Sequence, residues 1–294
     1  LALSLDMFSD RVLKPAVAAI ANKIDRDGLV MAKNNTANIV GTAGTPPTGL
    51  ITYLTAAAYL DAEGAPRDGR RSCIVEPFTS ATIVDSLKGL FVPQEAIGEQ
   101  YRKGLMGRDS AGMNWKMDQN VVSQTFGSYS TATLSCNTST ATGFLTSGWA
   151  STSTIALSAA TANATLNQGD VIQIANVYAV NPQNRQAYGS NKLRNFVVTS
   201  AVTVATSGTT LVTVSPAVIT AGQFQNVSVT NAGASAVTPF NNTGTVSPQN
   251  IIMHRNAFTL AVADLELPEG VHFAGRASDK EIGLSMRVVP VSYT

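Results

Sequence analysis

Hydrophobic positions near the start of the chain recur with the period of a helix. Val17, Ile20, Ala21 and Ile24 fall at i, i+3, i+4 and i+7 and form one apolar stripe within residues 9–27. Ser9 suits the N-cap and Asp10 the first turn, where the helix dipole favours negative charge, and Gly28 suits the C-terminal cap. Pro15 lacks a backbone N–H, so it marks either a kink or the true first turn. A second helix is expected over 50–62, with Leu54, Ala57, Ala58 and Tyr59 available to pack, and Gly64, Pro66 and Gly69 end it. Ser72 to Val75 reads as a short buried strand. Ser80 then caps a helix over 80–91 whose core face is Ile83, Val84, Leu87, Leu90 and Phe91. Pro93 starts a further helix at its first position, ending near Gly104, and residues 110–126 read as extended.

The period then changes to two. Val171–Val177, Phe196–Thr199, Val202–Val204 and Leu211–Val214 alternate or run as β-branched stretches, with Gly169-Asp170 and Ser207-Gly208 as turn signals. Strands this short and closely spaced predict a small barrel or sandwich. After Pro248 the mixed pattern resumes, with strands expected near 257–263 and 282–292.

Charge marks the same block. Residues 121–250 hold four charged side chains, Asp170, Arg185, Lys192 and Arg194, out of the chain's 20 Lys and Arg and 19 Asp and Glu. Ser and Thr fill 38 of those 130 positions, so an all-β module is expected, inserted into a host domain of ordinary composition. Length agrees, since 294 residues suit two domains of roughly 100–200 residues each. A net charge of +1 gives no field to draw in nucleic acid or an anionic membrane. No run of about 18 apolar residues is present to span a bilayer. LALSLDMFSDRVLK has neither the basic leader nor the cleavage site of a signal peptide, and both ends read as parts of a longer chain.

Candidate chemistry is sparse. GTAGTPPTG, residues 41–49, lacks the Gly-Lys-Ser/Thr ending of a phosphate-binding loop and reads as a plain loop. Cys73 and Cys136 show no metal spacing and read as buried, reduced thiols. His254 reads as a hydrogen-bonding residue at a strand edge, and His272 lies on a different element. Asp264, Glu266 and Glu269, beside Pro268, read as a solvated turn rather than a metal site. Trp115 and Trp149 read as packing residues. No catalytic, cofactor-binding or metal-binding set emerges, so no enzyme is expected. The long polar loop Asn181–Arg194 carries Arg185, Lys192 and Arg194, which are candidate contacts to carboxylates of a neighbouring subunit.

FSDRVLKPAVAAIANKID, VGTAGTPPTG, RRSCIVEPFTSATIVDSLKGLF, EQYRKGLMGRDSAGMNWKMDQNV and HRNAFTLAVADLELPEGV resemble the major coat protein of tailed bacteriophages, of the short-tailed enterobacterial type. The resemblance is collinear over nearly the whole chain. It implies an α+β tailed-phage capsid (Johnson) fold with peripheral and apical domains and an inserted β-barrel domain. Residues 1–30 would carry the spine helix of the peripheral domain, and 31–126 the first part of the apical domain. Residues 127–249 would form the inserted barrel, and 250–294 the rest of the apical domain and the return to the peripheral sheet. The implied function is a structural major capsid protein, self-assembling in pentamers and hexamers into an icosahedral shell. Scaffolding protein and portal are the implied partners. The shell would enclose DNA without sequence-specific binding or membrane contact, and assembly would take place in the host cytoplasm. On residues alone, a Thr/Ser/Asn-rich surface adhesin and an α/β enzyme with a β accessory domain are the alternatives.

Overall fold

A computed structural model describes residues 11, 14–86, 111–129, 133–137, 143–189, 192–206, 208–230, 233–240, 244–263, 266–270, 275–279 and 284–289. Two compact units divide the chain, Leu1–Arg255 and Asn256–Thr294. The helices are α1 (Lys14–Asn35), α2 (Leu50–Ala62) and α3 (Pro77–Ser86). The first strands are β1 (Arg71–Val75), β2 (Asn114–Met117) and β3 (Ser123–Thr125). The inserted block contributes β4 (Leu134–Asn137), β5 (Phe144–Leu145), β6 (Ser153–Ala159), β7 (Ala164–Leu166), β8 (Val171–Ala179) and β9 (Leu193–Val198). It continues with β10 (Val202–Val204), β11 (Thr210–Ser215), β12 (Val218–Ile219), β13 (Val227–Val229) and β14 (Ala234–Pro239). After it come β15 (Val246–Pro248), β16 (Ile251–His254), β17 (Gly275–Asp279) and β18 (Leu284–Val288).

The period-two block closes on itself. β8 pairs with β14, β14 with β4, β4 with β6, β6 with β11, β11 with β9, and β9 returns to β8, always antiparallel. Six strands therefore make a ring, which removes the exposed edges an open sheet would leave. β8 also carries β13 over Val177–Ala179. The register between β8 and β9 shifts between Gln173 and Tyr178, and Asn176 there has φ of 65°, the local kink of a bulge. Alternation fills the ring: along β6, Ser153, Ile155, Leu157 and Ala159 point inward. Ile172, Ile174, Phe196, Val198, Val212 and Val214 join them in one buried cluster.

The host core is separate and smaller. β1 lies between β16, antiparallel, and β2, parallel. Tyr53, Cys73, Val75, Ile83 and Met113 are buried together, with Leu50, Ala57, Trp115 and Ile252 packed against them. In the second unit, β17 and β18 form an antiparallel hairpin from Gly275↔Val288 to Asp279↔Leu284.

Several expectations need correction. α1 runs through Gly28 to Asn35 instead of stopping there, and Leu29 and Ala32 beyond it are its buried residues. Val17 and Ile20, half of the expected core stripe, are 41% and 45% exposed, so that stripe is not packed within the chain. α2 has the expected bounds but a rotated face. Leu54 is exposed, while Leu50, Tyr53 and Ala57 point inward, because the Tyr53 ring packs on Trp115 with centroids 4.9 Å apart. α3 begins at Pro77, so Ser80 is a buried residue inside the helix and not its cap. Leu87, Leu90, Phe91, the helix expected from Pro93, Ser9 and Asp10 lie outside the described residues. The strand expected near 257–263 is found instead at β16. β16 is the antiparallel neighbour of β1, and β2 lies parallel on its other side. Trp149 is 70% exposed and is no packing residue, since it follows the short β5 in an irregular turn.

Because the ring has its own core, residues 127–249 expressed alone are expected to give a soluble β-rich domain with a cooperative melt; random-coil circular dichroism would overturn this. Within the whole chain, Leu157→Ala should cost about 2–5 kcal/mol in chemical denaturation, as large-to-small changes in packed cores do.

Candidate functional site

The chain enters and leaves the barrel through one two-stranded neck. β3 pairs with β15, Thr125↔Val246 to Ser123↔Pro248. Beyond the ladder, the Phe126 N–H donates to the Thr245 carbonyl at 3.0 Å and the Gly244 N–H to the Gly127 carbonyl at 3.0 Å. Gly127 is required by close approach. A Cβ there would stand 1.9 Å from the Thr165 carbonyl oxygen and 2.9 Å from Asp170 Oδ2.

Asp170, immediately before β8, fastens this neck. It is 1% exposed. Its Oδ2 accepts the Gly127 N–H at 3.0 Å and the Asn167 N–H at 2.8 Å, and its Oδ1 accepts Gln124 Nε2 at 2.9 Å. Gln124, buried on β3, also donates to the Gln168 carbonyl at 3.0 Å, and its Oε1 accepts Lys33 Nζ from the end of α1. One carboxylate thus joins the barrel, the neck and, through Gln124, the long helix. Burial pushes the Asp170 carboxyl above its ordinary value; hydrogen bonds from Asn167, Gln124 and Gly127 and the Lys33 charge oppose this without cancelling it. Desolvation lowers Lys33 against the attraction of Asp170.

A second contact lies at the C-terminal end of α2. Tyr188 Oη donates to the Ala62 carbonyl, one of the acceptors a helix leaves unpaired at that end. Lys192 Nζ sits 4.0 Å from the centroid of the Tyr59 ring, a cation–π contact that also puts positive charge near the negative end of the helix. Arg194 forms an ion pair with Glu63, and Asn195 Nδ2 donates to Asn38 Oδ1 at 3.4 Å. The end of α2 is itself held by Arg71, 3% exposed, which pairs with Asp61 at 2.7 Å and donates to the carbonyls of Ala65 and Pro66. Hydrogen bonds and charge from Arg67 and Arg71 hold the Asp61 carboxyl well below the usual range.

Two of the three candidate intersubunit cations are therefore engaged within the chain, Lys192 on Tyr59 and Arg194 on Glu63. Arg185 is exposed, at φ of 59°. Sequence reasoning missed the neck. Asp170 stood out only as the block's single acid and as half of a turn signal, and Gln124, Glu63 and Tyr188 gave no signal because their partners lie far away in the chain. Elsewhere, His254 ends the edge strand β16 with Nε2 3.1 Å from Asp68 Oδ1, as a strand-edge histidine should. Cys73 and Cys136 are buried free thiols, pushed by burial to about 12 and about 11. Glu266 and Glu269 are exposed; Asp264 and His272 lie outside the described residues. Among the described residues, no three His, Cys, Asp or Glu side chains group as metal ligands, and no helix is long and apolar enough to cross a membrane.

Asp170→Ala would remove the acceptor of three N–H donors, leaving the buried Gly127 N–H unpaired, and its expected cost is about 1–3 kcal/mol in urea unfolding. The pH dependence has a defined sign. The folded pKa of Asp170 lies above its unfolded value, so the native state keeps this proton to higher pH. The stabilisation from that proton is full below the ordinary carboxylate pKa and is lost as pH rises through the folded value. Urea midpoints of the natural chain should show this decline across the acidic range, and those of Asp170→Asn should lack it.

The described residues thus combine a closed ring of strands with a mixed helix-and-strand part, joined at the neck. Residues 3–292 match the family described as P22 coat protein, gene protein 5. No curated protein matches the chain. The match covers all but two residues at each end and supports neither the adhesin nor the enzyme reading. The chain belongs to the P22 coat protein family and is a structural major capsid protein of a bacteriophage virion.

Proposed function

We propose that copies of this chain tile an icosahedral shell around packaged DNA as pentamers and hexamers, on the tailed-phage capsid fold, with a scaffolding protein and portal as partners. The carrying observation is the family match over residues 3–292. Assignment of 1–30 to a peripheral spine helix, 31–126 and 250–294 to an apical domain, and 127–249 to the inserted barrel belongs to the same reading, as does assembly in the host cytoplasm. The apolar surface of the helices supports it. Val17, Ile20 and Met31 on α1, Ile51 on α2 and Phe78 on α3 are between 41% and 78% exposed, and large side chains left in water on several elements suit a subunit that buries them against neighbours. A net charge of +1 lets many copies approach without accumulated repulsion and gives no means of reading DNA sequence. Each interface can be weak because every subunit engages several others at once.

Negative-stain electron microscopy of the full chain co-expressed with its scaffolding protein tests this. Closed shells or capsomers are expected; monomers at every concentration would overturn it. Arg185 is the remaining intersubunit candidate that is exposed. Arg185→Ala should leave the melting temperature of the subunit unchanged while lowering shell yield, most at low salt, since an exposed pair contributes only ~0–1 kcal/mol but recurs at every equivalent interface. Undiminished yield at low salt would remove Arg185 from the interface.

A further inference from the structure

Among the contacts between the barrel and its host, the neck and the end of α2 differ in character. At the neck, a covalent crossing is fastened by a buried carboxylate whose oxygens accept three N–H donors. At the end of α2, polar and charged side chains from the loop after β8 and from the start of β9 carry the contact. Among the described residues, the buried barrel cluster and the buried host cluster have no residue in common.

The second contact is also incompletely satisfied. Arg194 Nε is buried and hydrogen-bonds to nothing among the described residues. A pocket of about 190 Å³, partly open to solvent, lies beside the ion pair, lined by Asn38, Tyr59, Glu63, Tyr188, Lys192 and Arg194. A buried donor without an acceptor weakens a closed state relative to an open one, and an open pocket beside the pair lets water reach it. The Arg194 side chain is 13% exposed and that of Glu63 33%, so water and salt can compete for the pair. A body fixed firmly at one point and weakly at a second has one easy motion, rotation about the firm point.

We propose that Tyr188, Lys192 and Arg194 form a releasable clamp on the C-terminal end of α2. Closed, it fixes the orientation of the barrel on its host; with the Arg194–Glu63 pair broken, the barrel turns about the β3–β15 neck. Glu63 is the residue through which the clamp is set, because it is the C-cap of α2 and its backbone N–H already binds the Tyr59 carbonyl, so its carboxylate is presented from a rigid helix end. Tyr188 and Lys192 guide the loop onto the same turn of helix. The neck holds throughout, since none of its hydrogen bonds involves the clamp residues.

Charge reversal and its repair provide the test, in the full-length chain kept below its assembly concentration. Spin labels go on Asn22→Cys in α1 and Thr209→Cys in the barrel, both exposed, while the native thiols are buried. The natural chain should give a narrow distance distribution, Glu63→Arg a broad one, and Glu63→Arg with Arg194→Glu a narrow one again. Hydrogen exchange should accelerate by about tenfold or more in residues 181–189 and 192–195 of the single variant, return in the double, and stay unchanged in β6 and β11. High salt should reproduce the single variant's loop exchange in the natural chain. An unchanged distribution in Glu63→Arg would overturn the hinge, and failure of the double variant to recover would overturn the pair. Acceleration spreading into β6 and β11 would mean barrel damage in place of clamp release, and would equally end the proposal.

Discussion

A closed barrel can interrupt a host domain only if the chain leaves and returns at one point, and here that point depends on Asp170. The crossing forces two backbones together until no Cβ fits at Gly127. Such proximity buries N–H groups that the short β3–β15 ladder cannot satisfy. An acceptor-only side chain with two oxygens meets the need, and a buried amide would not, because it brings donors of its own. The cost is desolvation of a carboxylate, visible in its raised pKa, offset by three hydrogen bonds and a lysine held nearby through Gln124.

Two cores of unequal quality follow from this arrangement. The ring of six strands encloses a continuous cluster of branched aliphatic side chains and Phe196 and leaves few free edges. Among the described residues, the host cluster has five buried members, and large apolar side chains are exposed on all three described helices.

Legibility in the sequence tracked the range of the interactions. Local periodicity placed α2 at its true bounds and located β8 to β11, because alternation and turn residues act within a few positions. The inserted block was legible as a desert of charge. Boundaries set by tertiary contacts were not legible: α1 continues through Gly28 because its later turns bury Leu29 and Ala32, and the face of α2 is chosen by a stacking partner, Trp115, far along the chain. The strand expected near 257–263 is absent there, and the segment that pairs is β16, Ile251–His254. The site was the least legible part. Asp170 with Gln124, and Arg194 with Glu63, are separated by 46 and 131 residues, and a single sequence carries no trace of such pairs.

The charge desert itself now has a physical reading. Of four charged side chains, Asp170 is at the neck, Lys192 and Arg194 are at the end of α2, and Arg185 is in the loop leading to that contact. Apart from Arg194 at the start of β9, the strands of the ring carry no charged side chain. Apolar packing closes a barrel but is indifferent to how the barrel sits on another domain; hydrogen-bonded charges are directional and fix orientation. A neutral outer wall meanwhile adds no repulsion as copies accumulate in a shell. Three of the block's four charges therefore sit at its contacts with the rest of the chain, where directional pairing matters, while its ring is closed by apolar packing.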